Sequence, residues 1–291
     1  MQDKKRTQQI IFMQFRTKIE IERATFTIMP QHELMLVGSC FADNIGQRFA
    51  DNCFRTVKNP YGVMYNPVSI LHTVKRWLGG EPAANGNGTA GTIPDIVFLT
   101  LGTNHVYRLK ETGEIVDNCR KRPQRLFSEE ELSADKCAEA LQQTVDMLRT
   151  VRPEVRIVIT VSPIRYAKYG FHGSQLSKAT LLLATNMVER ANGCVSYFPA
   201  YEIMNDELRD YRFYTPDMLH PSPQAVDYIW ERLSETYFGK ETMEFLAEWQ
   251  PIKDALNHRP FNPDSEQYKK FYAETQMKKE LFMKKYYLAA Q

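Results

Sequence analysis

Ser39 stands where the apolar run Leu34-Met35-Leu36-Val37 reaches Gly38 and an amphipathic segment, Cys40 to Phe49, begins. A hydroxyl between a strand end and a helix start faces unpaired backbone N–H groups and the positive end of the helix dipole, where a reacting oxygen can gain charge. The same place also suits a serine that only caps the helix. Far along the chain, Asp217 and His220 lie in Thr215-Pro216-Asp217-Met218-Leu219-His220-Pro221. In a tight turn that spacing brings the carboxylate to Nδ1 of the imidazole, fixes its tautomer and leaves Nε2 to take a proton. Pro221 and Pro223 stiffen the segment, and Ser222 as N-cap with Pro223 at the first helical position starts the helix that follows. A surface Asp-His pair in a polar loop is the alternative. Two donors complete the set: Asn104, after the apolar run ending Leu101-Gly102-Thr103, and Gly62 in Asn59-Pro60-Tyr61-Gly62. Each reads equally as a plain turn residue.

Taken in chain order, Ser39, Gly62, Asn104, Asp217 and His220 resemble the arrangement of the SGNH (GDSL-like) hydrolases. More narrowly, Gly38-Ser39-Cys40-Phe41-Ala42 is similar to the signature of the GSCFA family, a bacterial branch of that superfamily. The landmarks run from Phe15-Arg16-Thr17 through Asn66-Pro67, Val106-Tyr107, Asn118-Cys119, Ser162-Pro163-Ile164-Arg165 and Leu176-Ser177-Lys178-Ala179 to Leu233. The resemblance implies Ser39 as nucleophile, His220 as base, Asp217 as its orienting partner, and an oxyanion hole made by Ser39 N–H, Gly62 N–H and Asn104. Ser39 is followed by Cys40-Phe41 where the superfamily usually has Ser or Leu. A thiol at a helix N-terminus is therefore a second candidate nucleophile, although Cys40 is expected to turn away from the loop face.

These residues describe a serine esterase working through an acyl-enzyme, without metal or cofactor, on a small-molecule or glycan ester. By family analogy the substrate is an O-acyl group on a carbohydrate. Acyl transfer to a sugar hydroxyl would use the same residues, and a non-catalytic carbohydrate or acyl-ligand binder on the same fold is the alternative from another class. Candidate substrate contacts are His105, Tyr107 and the basic stretch from Arg120, which follow the Asn104 strand end, together with Arg165.

The elements that must position this chemistry alternate between apolar strands and helical patterns. Strands are expected at Leu34 to Val37, Cys53 to Val57, Ile96 to Leu101, Val155 to Val161 and Val195 to Pro199. Helices are expected at Ser128 to Arg149, opening with a Ser128/Glu131 capping box, and at Ser174 to Ala191. The fold class is α/β: a three-layer α/β/α SGNH-hydrolase (flavodoxin-like) fold around a parallel sheet of those strands, with the site at its carboxyl edge. A domain at 13–238 would carry a helical C-terminal extension at 239–291, and residues 1–12 read as a disordered or non-native start. In the extension Asn262-Pro263 resembles a helix start, and Tyr268, Phe271, Tyr272, Thr275, Phe282 and Tyr286 form a helical stripe. That stripe packs on the main domain, or serves as a homo-oligomer interface or a lid over the site.

Composition narrows little further. The 291 residues, 43% hydrophobic and 25% charged, carry 37 basic and 35 acidic residues for a net charge of +2, which argues against a nucleic-acid partner. Cysteines 40, 53, 119, 137 and 194 show no metal-ligand spacing and read as reduced thiols. No signal peptide or membrane span is evident, so the expected location is cytoplasmic. Gly79 to Thr92, rich in Gly, Ala and Asn, reads as a surface loop.

Overall fold

The computed structural model describes residues 16–84, 93–119 and 122–288, so Arg120 and most of the Gly79 to Thr92 loop lie outside the described residues. The chain runs β1 (Glu33–Gly38), α1 (Cys40–Asp51), β2 (Arg55–Lys58), α2 (Pro67–Leu78), β3 (Ile96–Leu101), β4 (His105–Leu109), β5 (Ile115–Val116) and β6 (Phe127–Glu131). It continues with α3 (Ala134–Val151), β7 (Arg156–Val161), α4 (Gly170–Ala191), β8 (Val195–Tyr197), the short α5 (Ala200–Glu202), α6 (Pro223–Tyr237), α7 (Lys240–Asn257) and α8 (Glu266–Met283).

Five strands form one parallel sheet in the order β2-β1-β3-β7-β8. Strands buried on both faces explain the near-continuous apolar runs, because each successive side chain enters a different core. Leu34, Leu36, Ile96, Phe98 and Val158 face α1 and α6. Met35, Val37, Val97, Leu99, Ile157 and Ile159 face α2, α3 and α4. The order reverses between β1 and β3, so the connections leaving their carboxyl ends run to opposite faces of the sheet and leave the crevice in which sheets of this kind bind ligands.

Two helix starts differ from the sequence reading. Ser128 to Glu131 lies in β6, paired antiparallel with β4, and α3 begins after Ser133, whose Oγ accepts from Lys136 N–H at 3.3 Å. Ladder pairing to β4 overrides the local capping box, which specifies nothing about what lies alongside. Likewise α8 starts after Ser265, while Asn262 only closes the preceding turn by accepting from Asp264 N–H at 3.0 Å.

The C-terminal helices are built into the core of the α1 side. Phe245, Trp249 and Phe282 are buried there with Phe49 and Phe54, and Trp249 Nε1 donates to Asp51 O at 2.9 Å. Truncating one of these aromatics would cost about 3–5 kcal/mol. Asp51 is the last residue of α1, whose 12 residues span about 18 Å. These contacts sit at the opposite end of α1 from Ser39. The aromatic stripe divides: Phe282 and Tyr286 pack on Phe245, whereas Tyr268 and Phe271 gather around His258. Among the described residues no helix is long and apolar enough to cross a membrane.

Candidate active site

The turn between β1 and α1 is fixed from every side. Gly38 has φ +145°, and a Cβ there would lie 2.1 Å from Thr100 O, so only glycine lets β1 approach β3 this closely. Gly38 N–H donates to Asn59 Oδ1 at 2.8 Å, and Asn59 Nδ2 donates to Asp43 Oδ1 at 2.8 Å, clamping the loop after β2 to the first turn of α1. Ser39 is wholly buried. Its N–H donates to Thr100 O at 3.1 Å, and its Oγ accepts from Phe41 N–H at 3.3 Å as the helix cap. Cys40, at the first helical position, instead borders a cleft of about 380 Å³ that it shares with His220, Thr215, Asn44, Gln47 and Arg48.

The turn before α6 brings Asp217 and His220 together. Thr215 Oγ1 donates to Asp217 Oδ1 at 2.6 Å, the N–H groups of Leu219 and His220 donate to the same oxygen at 2.8 and 3.1 Å, and His220 Nδ1 lies 2.5 Å from Oδ2. The Thr215 hydroxyl first, then these amides and the imidazole, hold the Asp217 carboxyl far below the usual carboxylate range. Met218 takes φ +60° to close the turn, and Ser222 caps α6 by accepting from Ala225 N–H at 3.3 Å.

Each of the expected oxyanion donors makes a bond within the protein. Besides the Ser39 amide, Gly62 N–H donates to Asn59 O at 2.9 Å, and Asn104 Nδ2 donates to Leu132 O at 2.7 Å while its Oδ1 is buried without a partner among the described residues.

Of the expected substrate contacts, Arg165 acts on the dyad's turn: its N–H donates to Leu219 O at 3.0 Å and its Nη1 to Met218 O at 2.9 Å, with the guanidinium stacked on Phe171. His105 stacks on Tyr169 with centroids 3.6 Å apart, and burial lowers its pKa against the pull of Glu131 and Glu129. Tyr107 pairs with Lys168, which also bridges to Glu129 at 2.9 Å. Neither His105 nor Tyr107 borders the His220 cleft. Arg120 lies outside the described residues.

Two buried groups lie at the carboxyl ends of β3 and β7. Lys178, fully enclosed, donates to Gly102 O at 2.7 Å and Ser162 O at 2.8 Å, and burial pushes its pKa down to about 7. The Tyr166 hydroxyl is shut off from solvent with no partner among the described residues, and a Cβ on Gly102 would lie 2.4 Å from it. The landmark Leu176-Ser177-Lys178-Ala179 contains the lysine without indicating its burial, and nothing in the sequence around Tyr166 marks its hydroxyl as enclosed.

A doubly wound α/β chain with a DxxH dyad and a helix N-terminus at its switch point is thus the class defined by the fold and the geometry. The profile of the GSCFA family matches residues 33–90 and 89–233, and that of the GSCFA domain protein, C-terminal domain, matches 249–290. The chain belongs to the GSCFA family. No curated protein matches it. Among solved structures it is similar to a family 3 carbohydrate esterase of Clostridium thermocellum, at 15% identity over 74% of this chain and 97% of that one, with a TM-score of 0.40. It is also similar to a member of the lipolytic protein G-D-S-L family from Veillonella parvula, at 11% identity over 70% and 97% of the two chains, with a TM-score of 0.44.

Proposed function

We propose that this chain hydrolyses esters by acyl transfer through the first turn of α1, with an O-acyl group on a carbohydrate as the substrate class. The observation that carries the reading is the 2.5 Å contact between Asp217 and His220 Nδ1, on the rim of a cleft whose other wall is the start of α1. Nδ1 bound to a carboxylate leaves Nε2 as the basic nitrogen. His220 takes the proton of a nucleophile from the Ser39-Cys40 pair, and later returns it to the leaving alcohol. The N–H groups at the head of α1 and the helix dipole favour the negative charge that develops on the carbonyl oxygen. The side-chain amide of Asn104, one of whose N–H groups is given to Leu132 O, is a further donor. A carbohydrate ester fits a second cavity, of about 490 Å³, beside the dyad's turn, where Arg165, Gln175, Asn205, Tyr201, Tyr211 and Tyr214 mix hydrogen-bonding groups with aromatic faces.

The test is initial-rate hydrolysis of nitrophenyl acetate and of an acetylated xylo-oligosaccharide by the full chain and by His220→Ala. Replacement of the base is expected to lower kcat/KM by about 10³-fold on both substrates. Equal rates for the two proteins, or no cleavage by the wild type, would overturn the reading.

A further inference from the structure

We infer that Arg165 is the positioning residue of the dyad formed by Asp217 and His220, and that it couples this dyad to a neutral sugar held in the neighbouring cavity; the inference rests on the ester-cleaving reading. Two peptide units carry the argument. The N–H groups of Leu219 and His220 both donate to Asp217 Oδ1, at 2.8 and 3.1 Å. The carbonyl ends of the same two units are Met218 O and Leu219 O. Both accept from Arg165, the first from Nη1 at 2.9 Å and the second from the backbone N–H at 3.0 Å. Each peptide group is therefore held at both ends, by the carboxylate on one side and by a residue from the loop after β7 on the other.

Hydrogen bonds linked in this way strengthen one another, because a donor on the carbonyl polarises the peptide and makes its N–H a better donor to the carboxylate. A charged guanidinium does so more strongly than a neutral group. The same contacts hold Met218 at φ +60°, a left-handed conformation that a residue other than glycine keeps only where its surroundings enforce it. With both amides on Oδ1, Oδ2 is left for ring Nδ1, 2.5 Å away, and the ring keeps the tautomer that frees Nε2.

Arg165 is anchored independently of the turn it holds. Ile164 before it is buried in the core on the α1 side, and Tyr166 N–H after it donates to Ser174 Oγ of α4 at 3.2 Å. The guanidinium carbon lies 4.1 Å from the ring centre of Phe171, and 5.5 and 5.8 Å from those of Tyr214 and Tyr211. Tyr214 pairs with Pro221 in an antiparallel bridge that closes the dyad's turn. Cation, turn and aromatic faces thus share one wall of the cavity of about 490 Å³.

Arg165 Nε and Nη2 have no partner among the described residues, which leaves donors for a sugar hydroxyl on that wall. The occupant is neutral, because Arg165 and Arg209 are matched on the same lining by Asp206 and Asp210. A sugar accepting from the guanidinium immobilises it and, through Met218 O, the base. Contacts remote from the ester then raise kcat as well as lowering KM.

The experiment compares the full chain with Arg165→Ala and Arg165→Lys, each checked for folding by thermal unfolding. Arg165→Ala is expected to lose about 10²-fold in kcat on nitrophenyl acetate, which carries no sugar, with KM within about threefold of wild type. On an acetylated xylo-oligosaccharide its KM should also rise about tenfold. Added guanidinium ion should restore part of the lost kcat. Arg165→Lys, which keeps a cation, should lose about tenfold in kcat and carries the same comparisons if the alanine variant does not fold. Long-range proton–nitrogen correlation spectra of the His220 ring need no ester: they should show Nδ1–H in the wild type and a mixture of tautomers in the variants. Wild-type kcat in the variants, or a tautomer that the substitutions leave unchanged, would overturn the positioning role and leave the esterase reading standing. An unchanged KM for the oligosaccharide would overturn the coupling to the cavity. A wild type that cleaves neither ester, with a His220 tautomer that still depends on Arg165, would overturn the esterase reading and leave the positioning role.

Discussion

Asp217 holds His220 at two points, accepting its backbone N–H at 3.1 Å with Oδ1 and meeting ring Nδ1 at 2.5 Å with Oδ2. One carboxylate thus sets both the turn and the tautomer of the ring. Arg165 steadies the same turn from outside through Met218 O and Leu219 O.

Asp217→Asn is expected to keep the fold and lower kcat by roughly 10²–10⁴-fold with little change in KM, because an amide presents the ring with the wrong hydrogen-bond polarity. Steady-state kinetics check this, and an unchanged kcat would remove Asp217 from the mechanism. The carboxyl titrates lower in the folded than in the unfolded chain. Its contribution is therefore fully present above the unfolded carboxylate range, near pH ~4, and is lost as pH falls below it. Acid-unfolding curves of wild type and variant should converge as pH drops through that range.

Lys178 predicts a stability difference of the opposite slope. Its pKa is about 7 in the folded protein against an ordinary value of 10.5, so between those values the unfolded chain binds more protons and stability rises with pH. Cys40, Tyr166 and Tyr201 are the titratable groups that face it. Lys178→Met, which removes the charge together with the bonds to Gly102 O and Ser162 O, should lose ground to wild type as pH rises from 6 to 10. The swing approaches roughly 1.4 kcal/mol per pH unit across the window. Urea unfolding at both pH values measures it, and a pH-independent difference would show that Lys178 titrates normally.

Gly38 and Gly62 both have positive φ but predict different outcomes. A Cβ at Gly38 meets Thr100 O at 2.1 Å, whereas at Gly62, φ +93°, nothing lies within 4 Å. Gly38→Ala should destabilise by more than about 3 kcal/mol and abolish activity, since backbone must move. Gly62→Ala should cost only about 1 kcal/mol of backbone strain. Thermal unfolding of the two variants tests the contrast, and equal effects would contradict the close β1–β3 approach.

Much of this arrangement was legible in the linear chain. The runs Leu34 to Val37, Ile96 to Leu101 and Val155 to Val161 are apolar because each strand is buried on both faces, and they lie within a residue of the observed strands. Ser222-Pro223 marked the start of α6, and the Asp217-His220 spacing closes in a turn that needs only local chain. The Ser128/Glu131 box and Asn262-Pro263 misled because capping preferences describe a helix end without saying which of several nearby polar residues tertiary pairing will leave available.

Which of two adjacent residues borders the cleft could not be read that way. Sequence places Ser39 and Cys40 together at a strand–helix junction, and either is chemically able to attack an ester. Whether a side chain points inward or outward there depends on where the helix takes its first hydrogen bond, which is set by Thr100 O receiving Ser39 N–H and Asn59 receiving Gly38 N–H. Those partners come from other strands and loops. The chain alone determined the chemical groups, the strands and the dyad; only packing across β1, β2 and β3 decided that a hydroxyl would cap a helix and a thiol would border the cleft.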